Sequence, residues 1–214
     1  MNIPWRPVMR SDDEYPPGLG DLRDAPSVLY VRGRLPRAGV AIVGSRHVDE
    51  EAEQFAFELA RSLGHPVISG LAWGIDAAAH RGALAAGIPT LAYVGTGIDR
   101  TYPPEHRELE SAIVEAGGGI ASEQPLGSAA SPATLVQRDR LQAAHARAVV
   151  LISSEAEGGA MHTMRFAREL GRPLFALAAR GARDEGNGRA IGAGAHALPW
   201  DLRTAGLRIA QGLG

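Results

Sequence analysis

The chain has 214 residues, 45% of them apolar and 21% charged, a balance that fits one substantial soluble domain. No apolar run approaches the ~20 residues needed to cross a bilayer, and the opening MNIPWRPVMRSDDEYP lacks the apolar core of a signal peptide; with zero cysteines excluding disulfide and thiolate chemistry, a cytoplasmic protein with no membrane contact is expected. A net charge of −2 excludes a broadly basic nucleic-acid coat but not a local cationic groove, and because the chain has no lysine, any such groove must be built from its 22 arginines.

Residues 1–26 are polar and rich in proline, and read as an irregular extension; SVLYVRG at 27–33 reads as the first strand, so that 1–38 forms an N-terminal extension with one strand. The core begins with VAIVG at 40–44. Asp49 is placed to cap the next helix, in which Ala52, Phe55, Ala56, Leu59, Ala60 and Leu63 recur with helical period. PVIS at 66–69 is a strand, followed by a helix whose small face (Ile75, Ala78, Ala79, Gly82, Ala83) suits close packing. PTLAYV at 89–94 is a buried-type strand, and Leu109, Ala112, Ile113 and Ala116 mark a helix over 105–116. GIAS at 119–122 reads as a short edge strand. A helix near 133–146 leads into AVVLIS at 148–153, and a helix from Gly159 to Leu170 into PLFALA at 173–178. RGARDEGNGR at 180–189 is a loop by composition and is expected to be mobile. HALPW and LRTAGLRIAQGL give a small strand and helix, the latter a C-terminal helix or tail over 201–214. Alternation of strand and helix predicts an α/β fold, a mostly parallel sheet with helices on both faces, whose main domain spans 39–200.

Four strands end in glycine- and hydroxyl-rich turns before a helix: GSR at 44–46, SGLAWG at 69–74, GTG at 95–97 and SSEAEGG at 153–159. In a parallel sheet such turns gather at one edge, where helix N-termini offer N–H groups to anions, so phosphate is the leading ligand class. Gly44 lets a ligand approach the backbone, Ser45 can donate a hydroxyl, and Arg46 either meets a phosphate or pairs with a surface carboxylate. Ser69, Gly70 and Gly74 form a second phosphate-sized cradle. Asp76 and His80, four apart on one helical face, fit a hydrogen-bonded pair fixing the helix start better than a metal or acid–base site. Tyr102, extended before Pro103, either stacks on a base or closes its loop. Arg138 and Arg140 flank Asp139; two positions apart on a regular helix they point nearly opposite ways, so they share a ligand only at a helix start or in a loop. No Ser-His-Asp order, Walker lysine or GxGxxG is present, so no catalytic residue, metal or cofactor is expected.

Taken together, YPPGLGDLRDAPSVLYVRG (15–33), VAIVGSR (40–46), VISGLAWGIDAAAHRGAL (67–84), TGIDRTYPPEHREL (96–109), GGGIASEQPLG (117–127), RDR (138–140), GGAMHTMRFARELGRPLFALA (158–178) and GNGRAIGAGAHAL (186–198) resemble the DNA-processing protein A family, DprA or Smf, in the family's order. The resemblance implies an extended Rossmann-like domain that binds single-stranded DNA in uptake and recombination, helps load the RecA-type recombinase and forms a homodimer. By motif it implies that Gly44, Ser45, Arg46, Ser69, Gly70, Arg138, Arg140, Gly158 and Gly159 line the DNA phosphate site. The family's usual Arg-Asn-Arg is Arg-Asp-Arg here. A different reading is a nucleotide sensor or phosphoribohydrolase-like protein; such hydrolases share the GG…T turn, but their following glutamate is replaced by Met164-Arg165.

Overall fold

The computed structural model describes residues 4–213; the first three residues of the expected N-terminal extension and the last residue of the expected tail lie outside them. One nine-stranded sheet organises the chain. At one edge β1 (Trp5–Met9) pairs antiparallel with β2 (Val28–Gly33), and β2 pairs antiparallel with β6 (Gly119–Ser122). From β6 onward every pairing is parallel, through β5 (Thr90–Tyr93), β4 (Val67–Ser69), β3 (Gly39–Val43), β7 (Ala146–Leu151), β8 (Leu174–Leu177) and β9 (His196–Leu198).

Strands buried on both faces read as continuous apolar runs, and period-two alternation divides them between two cores. Ala41 and Val43 of β3, with Val149 and Leu151 of β7, face one core together with α4 (Pro132–His145) and α5 (Ala160–Glu169); α6 (Glu185–Gly192) covers the same face. Val40 and Ile42, with Ala148 and Val150, face the other, under α1 (Glu50–Ser62), α2 (Ile75–Ala85) and α7 (Leu202–Leu213). Beside them Ile113 of α3 (Arg107–Glu115) packs with Ala92 and Ile120. Gly82 allows α2 to lie against α1: a Cβ there would stand 2.1 Å from the Phe57 carbonyl oxygen. Asp49 caps α1 as expected, its carboxylate accepting from Ala52 N at 2.8 Å. α4 begins in a capping box between Ser131 and Thr134 and ends on a buried histidine. His145 Nδ1 lies 2.8 Å from the Tyr93 hydroxyl and Nε2 2.8 Å from the Pro36 carbonyl. Burial pushes its pKa down to about 4, so the neutral ring donates from Nε2 and accepts at Nδ1.

Four local expectations are corrected. The N-terminal stretch is not irregular: β1 is a strand, with Val8, Tyr15 and Leu19 buried. Pro7 is tolerated because β1 is the sheet's outer strand, where a missing N–H leaves no ladder partner unpaired. GIAS is an interior strand, between β2 and β5, since β2 returns antiparallel to cover it. Residues 180–189 are not a loop but a 3-10 turn (Ala182–Asp184) and most of α6. Buried Asn187 fastens that helix: its amide nitrogen donates to the Ile152 and Leu177 carbonyls and its oxygen accepts from Ser154 N. Finally, Asp76 and His80 are not partners. The His80 Nδ1 sits 2.7 Å from Thr90 Oγ1, while Asp76 accepts from Ala72 N.

The chain crosses β3, β4, β5 and β6 in one direction, then α4 carries it back to β7 on the other side of β3. Parallel sheets open a crevice at such a reversal, outside the carboxyl ends of the two strands that flank it.

Candidate functional site

That crevice is a cleft of 440 Å³ whose lining includes Gly44, Ser45, Arg46, Asp76, Arg138, Asp139 and Gly159. The turns after β3 and β7 therefore stand side by side, as the sequence predicts, and backbone bonds clamp them. Ser45 N donates to Ser153 O at 2.8 Å, and Ile75 N to Ser45 O at 3.3 Å. The Ser45 N–H is thus spent on holding the turns together, which leaves Ser45 its hydroxyl. Gly44 is required by crowding, since a Cβ would lie 2.5 Å from Ile75 Cγ1 and 2.9 Å from Ser153 O.

The helix ends around the cleft differ in what they offer an anion. α1 is capped by Asp49 and carries Glu50, Glu51 and Glu53 in its first turn, so its own carboxylates answer its dipole. α5 begins at Gly159 with no side-chain cap and no acidic residue in its first turn, and opens onto the cleft beside Thr163. Gly158 stands one residue outside, its Cα facing the Ser154 hydroxyl so closely that a Cβ would lie 2.4 Å away.

The cations divide into three kinds. Arg46 is exposed at the cleft mouth, and its guanidinium makes no hydrogen bond or ion pair among the described residues. Arg138 forms the wall but is committed inward: Nη1 donates to the carbonyls of Gly70 and, at 2.8 Å, Tyr93. Its Nε stands 3.0 Å from Asp139 Oδ1 without the angle of a directed bond, and its Nη2 3.8 Å from Asp76. Gly70 is glycine for this reason: a Cβ would fall 1.6 Å from Arg138 Nη1. Arg140 lies elsewhere. α4 is regular at this point, so Arg140 leaves on the other side, 2.7 Å from Glu123 and 3.0 Å from Asp24. The structure brings Arg46 and Arg138 together and does not bring Arg140 to them. Ser69 is fully buried beneath the cleft, its hydroxyl donating to Ile42 O at 2.7 Å.

Asp139 and Asp76 put negative charge against this wall. Burial raises both; the Arg138 guanidinium pulls each back down, and Asp139 stands at about 7. Asp139 therefore exchanges its proton near neutrality, with Gln142 Nε2 donating to its Oδ1 at 3.2 Å. Among the described residues no group of three or more His, Cys, Asp or Glu side chains is placed to hold a metal ion. No helix among them is long and apolar enough to cross a membrane.

A second, narrower cleft shares Arg46, Ala72, Leu135 and Arg138 with the first and adds Gly70, Trp73, Gly95, Tyr102 and Pro103. Tyr102 is thus half-buried and lines one cleft with Arg46 of the turn after β3. The GTG turn contributes only its first glycine, because Thr96 bonds to Arg100 O and Asp99 accepts from Gly127 N. Sequence reasoning missed the lining roles of Gln142 and Leu135, although Leu135, Arg138, Asp139 and Gln142 recur every three or four residues as one helix face must. It also passed over Trp73.

Comparison with known proteins gives one consistent result. The family model for DNA recombination-mediator protein A matches residues 6–203. Protein Smf from Synechocystis is 36% identical over 176 residues, covering 78% of this chain and 44% of the relative. DNA processing protein DprA from Streptococcus pneumoniae is 36% identical, covering 78% and 60%. The chain thus spans about half the length of the curated relatives it matches. The crystal structure of the S. pneumoniae protein superposes with a TM-score of 0.88 at 29% identity, covering 97% of this chain and 74% of that one. DNA processing protein A from Helicobacter pylori has the same fold, with a TM-score of 0.86 at 24% identity, covering 98% and 97%.

Proposed function

This chain belongs to the DNA recombination-mediator protein A family, and from that premise we propose that its cleft binds single-stranded DNA and that the protein serves DNA uptake and recombination in the cytoplasm without catalysing a reaction. The observation that carries the reading is Arg46, an exposed guanidinium with no hydrogen bond or ion pair among the described residues, set at the cleft mouth with the uncapped N-terminus of α5 on the same cleft. An exposed guanidinium held by no other side chain can pair with a phosphate, and the first turn of α5 beside it carries no carboxylate to repel one. Around it Arg138 is opposed by both Asp139 and Asp76, and Glu155 also lines the cleft, so a phosphate chain would be held at Arg46 in a cleft that is not basic overall. The H. pylori relative is a single-stranded DNA-binding protein. Handing the strand to a RecA-type recombinase and working as a homodimer complete the proposal, and family likeness alone supports those two steps.

Replacing Arg46 with Ala tests it by fluorescence anisotropy on oligo-dT over a salt series. The expected loss is about 1.5–3 kcal/mol, the range for a charge-assisted hydrogen bond. The salt slope should flatten by about 0.7, one phosphate contact on a single strand. Unchanged affinity and slope would remove Arg46 from the site. The enclosed part of the cleft, with its carboxylates, favours one second reading, a nucleotide sensor; free nucleotides titrated in parallel and binding more tightly than oligo-dT would select it.

A further inference from the structure

Trp73 stands out among the three tryptophans. Trp5 packs edge-on against Tyr30, and Trp200 against Phe55 with the Arg180 guanidinium over its ring and its indole N–H donating to Ala178 O. Trp73 has no aromatic, cation–π or hydrogen-bond partner among the described residues and is 39% exposed. An indole left on the surface forfeits much of its transfer free energy, and a lone one at the rim of a polar cleft offers a stacking face.

The backbone that carries it is held firmly. Leu71, two residues earlier, has φ 61, a region costly for a bulky side chain, and is completely buried. It is the one non-glycine residue with positive φ among the described residues. Gly74, also at positive φ, lies so close to the phosphate turn that a Cβ would stand 2.6 Å from Ser45 O and 2.8 Å from Arg46 O. Asp76 accepts from Ala72 N across the same bend. The bend buries Leu71, leaves Trp73 on the surface and holds its backbone close to the turn that carries Arg46. Tyr102 lines the same narrow cleft, whose free volume of about 10 Å³ admits no more than a water molecule, so a base can meet Trp73 only on its outer face.

We propose that the exposed face of Trp73, at the rim of this narrow cleft, stacks on one unpaired base of a strand whose phosphate rests on Arg46. The inference builds on the single-strand reading above and names what the cleft recognises beside phosphate: a base plane, with little preference among bases, since every base has a stacking face.

The test compares wild type, Trp73→Ala and Trp73→Phe on two oligonucleotides of equal length, oligo-dT and one made of abasic sites, which keeps the phosphates and lacks bases. Thermal melts establish that each variant is folded. Trp73→Ala should weaken oligo-dT binding about tenfold, within the roughly 5- to 150-fold that losing one base–aromatic stack produces, and leave abasic binding unchanged. Trp73→Phe, which keeps a stacking ring, should restore most of the dT affinity. Oligo-dT should quench wild-type tryptophan emission, and the quenching should vanish in Trp73→Phe. Equal losses on both oligonucleotides, or none on either, would overturn the Trp73 stack while leaving phosphate binding standing. Wild type binding neither oligonucleotide would overturn the single-strand reading and the stack with it.

Discussion

Replacing Asp139 with Asn probes the charge balance of the cleft through two independent readouts. In the folded protein the Asp139 carboxyl is held up to about 7, by burial against the opposing pull of Arg138 and Arg46; in the unfolded chain it returns to about 3.9. A carboxyl raised by folding stabilises the native state fully below the unfolded pKa, and that contribution fades as pH rises through the folded one. Three units at 1.36 kcal/mol each make the full span about 4 kcal/mol, and the part falling between pH 5.5 and 8 about 2 kcal/mol. Asn does not titrate. The stability of Asp139→Asn relative to wild type, from urea denaturation, should therefore increase by about 2 kcal/mol between pH 5.5 and pH 8. The other charged groups at the cleft (Asp76, Glu155, Arg46, Arg138, His47 and His162) are common to both proteins and cancel to first order in the double difference. Binding should move in step. If a phosphate on Arg46 lies on the order of 10 Å from Asp139, Coulomb's law at an effective dielectric near 20 makes the added negative charge cost roughly 1–2 kcal/mol. The Asn variant should thus hold oligo-dT roughly 5- to 30-fold more tightly at pH 8 and low salt, and the two proteins should converge at pH 5.5. A stability difference that is the same at both pH values, or equal affinities at pH 8, would refute an ionising Asp139 in the cleft.

Gly82→Ala should destabilise by about 1–3 kcal/mol, because the added methyl meets the Phe57 carbonyl of α1; a raised midpoint in urea would show that helix propensity outweighs the clash. Asp49→Ala should cost about 1 kcal/mol through loss of the α1 cap, with Asp49→Asn retaining most of it, measured by the same denaturation. Arg140→Met leaves Glu123 buried without its cation and should cost about 3 kcal/mol of stability, with the salt slope of oligo-dT binding unchanged; a flattened slope would return Arg140 to the phosphate path.

The central part of the fold is legible because its local signals agree with its tertiary role. VAIV and VVLI are apolar on both faces because both faces are covered, and the helix between Asp49 and Leu63 carries its own cap and stripe. Where the sequence misleads, long-range pairing decides. Nothing within GIAS announces that β2, some ninety residues earlier in the chain, closes over it. The glycines of EGNGRAIG read as a loop, and the helix exists because Asn187 finds three backbone partners on other elements. The cleft shows the same division. The glycine turns mark its position, and helix periodicity separates Arg138 from Arg140, yet the raised carboxyls depend on burial that no local pattern reveals.

The central place of β3 also dictates when a growing polypeptide can become this protein. β3 needs β4 on one flank and β7 on the other, and β7 is not complete until Leu151 has been synthesised. Until then the Gly39–Val43 ribbon keeps one open flank of unpaired amides and carbonyls, a template for pairing with another nascent chain. The β1–β2 pair waits in the same way for Gly119–Ser122, so it is made well before the strand that seats it. Folding of this kind pays for long loops before contacts repay them and is slow for its size. A shortened chain that stops before Leu151 would lose the crevice and the means of hiding β3 with a single cut.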